Sequence, residues 1–244
     1  TNATVFDGDD VAACLAVRRA IDAGFSAIKV KIGVHGRIDA EQRRIERLLN
    51  ASDNAAELRL DANGAWNART AIEILRPFHE TALAFVEQPV PANDLAGLAH
   101  VRQESGVRIA GDESLGSLAQ LQQAIDHDAI DVAVIKPLTL PGPCEGAAMV
   151  RLATKHGIPA IVTSTIDSGL GVMVAAHCAA TRDDGPACGL STADLLTDDL
   201  LIDSPVQRAG EFRLPSAPGI GVQVRWQADP LAERRTFTLD PHAK

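Results

Sequence analysis

The sequence has no run of lysine and arginine that would form a basic stripe. Its 244 residues hold 23 Lys and Arg against 32 Asp and Glu, a formal net charge of −9. A nucleic-acid partner is therefore not expected. No apolar stretch approaches the ~18 residues that a membrane-spanning helix needs, so no membrane partner is expected either. The opening segment, Thr1-Asn2-Ala3-Thr4-Val5-Phe6, lacks the basic and apolar regions of a secretory signal. It reads as a strand entered from something upstream. The four cysteines, Cys14, Cys144, Cys178 and Cys188, show neither C-x-x-C spacing nor a histidine at ligand spacing. They are expected to be reduced, mostly buried thiols of a cytoplasmic protein. A phosphate-binding loop is missing as well, since Gly33-Val34-His35-Gly36 does not fit G-x-G-x-x-G. There is no G-x-S-x-G elbow, so Ser164, Asp167 and His177 do not read as a hydrolase triad. His177 lies in an apolar helical run and reads as packed or capped.

Apolar residues make up 46% of the chain, enough for one sizeable core. Short apolar runs at 3–6, 27–32, 57–60, 83–86, 107–110, 132–135, 160–163 and 187–190 read as eight strands. Helix-period segments at 11–23, 39–49, 68–79, 94–104, 118–126, 145–156 and 171–180 fall between them. Strands alternating with helices of this length imply parallel βαβ units. Eight strands favour an α/β, TIM-like (β/α)7β barrel over an open doubly wound sheet. The barrel is expected over residues 1–196. Residues 197–244 are rich in Pro, Asp and Gly, with strand-like pieces at 211–214 and 222–226, and read as a tail packed outside the barrel.

The informative pattern is where charge falls relative to the strands. Strand two carries Lys29 and Lys31, and strands three and four run into Asp61 and Glu87. Strand five runs into Asp112 and Glu113, and strand six into Lys136. From Lys31 the steps to Asp61, Glu87, Asp112 and Lys136 are 30, 26, 25 and 24 residues, each about one βα unit. These side chains should converge on the C-terminal mouth, where barrel active sites sit. Three carboxylates gathered there repel one another, and a divalent cation removes the conflict. An all-oxygen set without His or Cys selects a hard ion, Mg²⁺ by default. Lys29 and Lys31 alternate along one strand and point the same way. Each is expected to depress the other's pKa, and the cation to depress both, so that a lysine can take a proton from carbon next to a carboxylate.

The segments Lys29-x-Lys31, Asp61-Ala62-Asn63-Gly64-Ala65-Trp66, Glu87-Gln88-Pro89, Gly111-Asp112-Glu113-Ser114 and Ile135-Lys136-Pro137 resemble the muconate-lactonizing subgroup of the enolase superfamily, in order over residues 1 to about 225. That resemblance implies Asp61, Glu87 and Asp112 as ligands of Mg²⁺, with Mn²⁺ as a substitute. It implies Lys31 as the main acid/base, Lys29 as its modulator and Lys136 facing it. Glu113 is implied as support for the site, and Asn63, Thr4, Ser164 and Gly189 as contacts of a small-molecule carboxylate substrate. Two stretches are most similar to o-succinylbenzoate synthase, a dehydratase of menaquinone synthesis. These are Asn2-Ala3-Thr4-Val5, and Thr163 to Gly169 together with Ala187 to Leu196. Dipeptide epimerase, N-succinylamino acid racemase and muconate cycloisomerase are the alternatives, and a truncated, binding-only barrel is another. Members carry an N-terminal capping domain before the barrel. None stands in this sequence, and residues 197–244 resemble the part that returns to complete it. The chain by itself is thus expected to be poorly active. The resemblance is also compatible with a homo-oligomer.

Overall fold

In a computed structural model of the chain, the described residues are 1–182, 184–192, 195, 196, 199, 201, 202, 207, 208 and 210–224. Seven strands form one parallel sheet in sequence order. They are β1 (Ala3–Val5), β2 (Ala27–Lys31), β3 (Glu57–Asp61), β4 (Leu83–Glu87), β5 (Ile109–Gly111), β6 (Val132–Ile135) and β7 (Ala160–Val162). The crossovers are α1 (Asp10–Asp22), α2 (Ile38–Ser52), α3 (Ala68–Leu75), α4 (Leu95–Ser105), α5 (Leu118–Asp126) and α6 (Pro143–Lys155), and α7 (Gly169–Ala179) follows β7.

Four of the helices start where the sequence supplies side-chain acceptors for their orphan amides. Asp9 accepts from the Ala12 amide, Asn67 from Thr70, Asp94 from Gly97 and Ser117 from Gln120. The main core lies between sheet and helices and includes Val17, Ile28, Val30, Ile45, Leu48, Leu60, Leu98 and Val172. A second, small cluster of Phe85, Ala110, Val132, Val134 and Ile161 points the other way and fills the barrel interior.

The eighth strand expected at 187–190 is reduced to a single parallel bridge, Thr163 to Gly189. The segment still closes the ring. The Gly189 amide donates to the Val162 carbonyl at 3.0 Å, and the Ser164 amide donates to Gly189 O at 2.9 Å. On the other side the Asn2 amide donates to Cys188 O at 2.8 Å. Two further expectations shift. The run 68–79 divides at Pro77 into α3 and a 3-10 turn, Arg76–Phe78, because proline has no amide to continue the ladder. Strand five begins at Ile109 rather than at 107, where the Val107 amide is taken by the Ser105 hydroxyl.

Of the tail, Gln207–Arg208 (β8) and Glu211–Phe212 (β9) pair antiparallel, and Leu201 bridges Val224. Phe212 packs against the main core, and the His177 ring meets the Ile220 carbonyl at 3.2 Å. Arg225 and Trp226, the end of the last strand-like piece, lie outside the described residues, as do Ala193 and Asp194. Among the described residues no helix is long and apolar enough to cross a membrane.

Candidate active site

The parallel register sets the site. Lys31 on β2 stands beside Asp61 on β3, and Asp61 beside Glu87 on β4. Asp112 and Lys136 follow β5 and β6 by one residue each. Lys29 sits one inward position below Lys31, paired with Thr4 on β1 and Arg59 on β3. Asp61, Glu87 and Asp112 are all buried, at 0%, 1% and 5% relative exposure.

Buried carboxylates need counter-charge. Lys29 Nζ reaches Glu87 Oε1 at 3.0 Å and Asp61 Oδ2 at 3.1 Å. Lys31 Nζ donates to Asp61 Oδ2 and to Asn63 Oδ1, both at 2.6 Å. Asn63 Nδ2 in turn donates to Glu113 Oε1 at 2.9 Å. Across the ring Lys136 Nζ donates to Asp112 Oδ2 at 2.5 Å. Each expected ligand is therefore closed on an amine. Among the described residues no group of three or more His, Cys, Asp or Glu is gathered tightly enough to hold a metal ion. The carboxylates reach neighbouring strand ends as expected, but lysine ammonium groups neutralise them.

The electrostatics follow from burial and neighbours. Burial pushes the Glu87 carboxyl up to about 8 against the pull of Lys29, and Asp61 and Asp112 push it the same way. Burial also raises Asp61, but Lys29 and Lys31 outweigh it and hold that carboxyl below its ordinary value. Lys29 departs from the depressed value expected of it. Burial lowers it, yet the charges of Glu87, Asp61 and Asp112 together win, and its pKa lies well above that of an ordinary lysine. The donor set nonetheless suits a hard cation. It is all oxygen, it is buried, and Glu87 is strained by two like charges.

The other expected contacts are spread out. Thr4 is half-buried on β1, where its hydroxyl lies 3.4 Å from the Asn2 amide nitrogen. Ser164 and Gly189 are occupied in closing the ring. The Ser164 hydroxyl meets Gly189 O at 3.1 Å and the Thr192 hydroxyl at 2.8 Å. Gly189 is packed so tightly that an added Cβ would lie 2.9 Å from the Thr163 Cβ. Their polar groups serve the barrel rather than an open face.

Three supporting groups had no sequence signal beyond their position. Glu41 and Arg44 on α2 are fully buried. The Glu41 carboxylate accepts the amides of Gly33 and His35 at 2.8 and 3.0 Å. Arg44 donates to the carbonyls of Asp7, Gly8 and Lys31 and to Asp10 Oδ1. The pair brackets the backbone just past the end of β2 that carries Lys31. Below the site Arg59 fills the barrel interior, donating to Ala187 O at 2.6 Å and Glu57 Oε2 at 2.7 Å and stacking 5.4 Å from the Phe85 ring centre.

Residues 12–228 match the family model described as enolase C-terminal domain-like. At 34% identity over 239 residues, the chain is similar to an o-succinylbenzoate synthase from Thermobifida fusca (strain YX), with 91% of this chain and 72% of that one covered. It is 31% identical to a chloromuconate cycloisomerase from Pseudomonas putida over 80% of this chain and 53% of the relative. The solved substrate-liganded L-Ala-D/L-Glu epimerase from Bacillus subtilis superposes with a TM-score of 0.85 at 26% identity, over 91% of this chain and 62% of that one. The chain thus spans between about half and three quarters of the length of these relatives. Since the family model takes in β2 through β7 and all six of the charged side chains paired above, the chain belongs to the enolase C-terminal domain-like family.

Proposed function

We propose that this barrel carries the acid/base machinery of an enzyme that removes a proton alpha to a carboxylate, and that its reaction is the dehydration giving o-succinylbenzoate. The observation that carries the reading is the placement of amines on β2 and after β6, flanking three buried carboxylates. The greater identity to the synthase than to the cycloisomerase favours dehydration. Asp61, Glu87 and Asp112 would hold Mg²⁺ or Mn²⁺. Such a cation supplies positive charge against a substrate carboxylate and against the charge that grows there as the proton leaves.

In this reading Lys31, as the neutral amine, takes the alpha proton and the carbon keeps the electron pair. The adjacent C–O bond then breaks, a C=C bond forms, and the departing hydroxyl takes a proton from the Lys31 ammonium and leaves as water. The ring becomes aromatic and Lys31 returns to its starting state. Asn63, bonded to Lys31 through Oδ1 and to Glu113 through Nδ2, orients that amine. Lys136 faces the opposite side of the carbon and acts by charge. One observation favours a second reading, a racemase or epimerase in which Lys136 is the second acid/base. Lys31 and Lys136 each bond one buried aspartate at nearly the same distance, 2.6 and 2.5 Å, so an amine held by a buried acid stands on each side.

Solvent deuterium exchange on a panel of candidate carboxylates decides, with Mg²⁺ and the variants Lys31→Ala and Lys136→Ala. The dehydration reading expects turnover to fall about 100- to 10,000-fold in Lys31→Ala. Exchange should persist in Lys136→Ala. Exchange without loss of water assigns an isomerase instead. No exchange by the wild type on any substrate sinks both readings.

A further inference from the structure

Between Glu87 and Asp112 stands a side chain that the acid/base scheme does not use. Gln88 directly follows Glu87, is 1% exposed, and has a positive φ of 40°. Its amide continues the ladder to β5, donating to Ala110 O at 2.9 Å. Its side chain crosses to the loop after β5. There Oε1 accepts three donors: the Asp112 amide at 3.0 Å, the Ser114 amide at 3.2 Å and the Ser114 hydroxyl at 2.9 Å. Nε2 donates to the Val90 carbonyl at 2.9 Å. The carboxamide can face only one way, because a flipped group would set its NH₂ against two backbone N–H donors and its oxygen against the Val90 carbonyl. The Gln88 backbone carbonyl is also taken, by the Gly64 amide at 2.7 Å, three residues past Asp61.

One residue therefore touches the loops behind all three carboxylates. It is covalently joined to Glu87, holds the Asp112 backbone through its side chain, and holds the loop after Asp61 through its carbonyl. We infer that Gln88 is the positioning residue that sets the spacing of Asp61, Glu87 and Asp112 for a divalent cation. A buried amide whose oxygen and nitrogen are both engaged is stiff, and that stiffness passes to the carboxylates beside it. The inference rests on the proposed cation-binding role of those three residues. Groups that orient ligands in this way are worth about 10- to 100-fold in metal affinity.

The test is Mn²⁺ affinity, read as free Mn²⁺ by paramagnetic resonance on the full chain without substrate. Gln88→Met is expected to weaken binding about 10- to 100-fold. Ser114→Ala, which removes one of the three donors and strands none, is expected to weaken it less. Leu121→Ala, which cuts into the core under α5, should lower thermal stability and leave Mn²⁺ affinity unchanged. If Gln88→Met does not fold, Ser114→Ala decides, and unchanged affinity there overturns the inference. Equal loss of affinity in Leu121→Ala also overturns it, since the effect would then be one of stability alone. A wild type that binds no Mn²⁺ removes the carboxylate reading itself. A wild type that binds beside an equally tight Gln88→Met removes only the role of Gln88.

Discussion

Lys29 neutralises two buried acids at once, Asp61 and Glu87. Replacing it with methionine leaves both without that amine in a dry site. In the metal-free chain this is expected to cost about 1–3 kcal/mol, since Asp61 keeps Lys31 at 2.6 Å and Glu87, raised to about 8, can hold a proton. Added Mn²⁺ should recover more stability in Lys29→Met than in the wild type. Thermal melts in chelator and in Mn²⁺ measure both, and equal melts in chelator would show that the amine is not what compensates the acids. The charges at strand ends were legible in the sequence because they sit at fixed steps behind apolar runs. The amines' preference for the acids was not, because it depends on which pairs the register brings within 3 Å. Gln88 stood in the Glu87-Gln88-Pro89 motif, but its bonding was not legible, since these partners lie 24 and 26 residues away and an amide in a loop has no periodic signature.

Helix α2 is the element that fixes the end of β2. Its Arg44 holds Asp10, at the start of α1, together with carbonyls from the loop after β1 and from Lys31. Burial would raise the Asp10 carboxyl, but the hydrogen bonds from Arg44 and His35 outweigh it and hold it below the ordinary value of 3.8. A depressed acid lends stability that is intact above the unfolded value and is lost as pH falls through the folded one. Asp10→Asn is thus expected to cost about 1.5–3 kcal/mol near neutral pH and progressively less at acidic pH, as the pH falls below 3.8 and through the depressed folded value and the wild-type carboxyl itself takes up a proton. Chemical denaturation at the two pH values checks it, and a cost independent of pH would exclude the ion pair as its source. At this scale the alternation of strand and helix was plain in the sequence, and most boundaries fell within two residues. Two of the shifts have local causes. Pro77 broke one helix, and the Ser105 hydroxyl delayed one strand.

For the molecule as a whole, closure depends on a few atoms. Residues 188 and 189 join Asn2 on one side to Val162 and Ser164 on the other. Gly189→Ala would press its methyl on Thr163 and is expected to cost about 1–3 kcal/mol, readable by denaturant titration. A variant as stable as the parent would mean that the ring tolerates more slack than this packing allows. The barrel was legible from its rhythm, but its last strand was overdrawn, since an apolar run marks burial and not the number of backbone pairs it makes. The way the ring closes carries a consequence for how the chain folds. All six amines and acids lie from Lys29 to Lys136, on or just past strands that pair in sequence order, so their pairs are comparatively local, the longest being Lys29 to Glu87 at 58 residues. The join of Asn2 to Cys188 instead spans nearly the whole barrel, and long loops are slow to close. The ladder of paired charges can thus form as an open arc, and the closing segment at 188 and 189 is expected to join last, as a hoop around pairs already made.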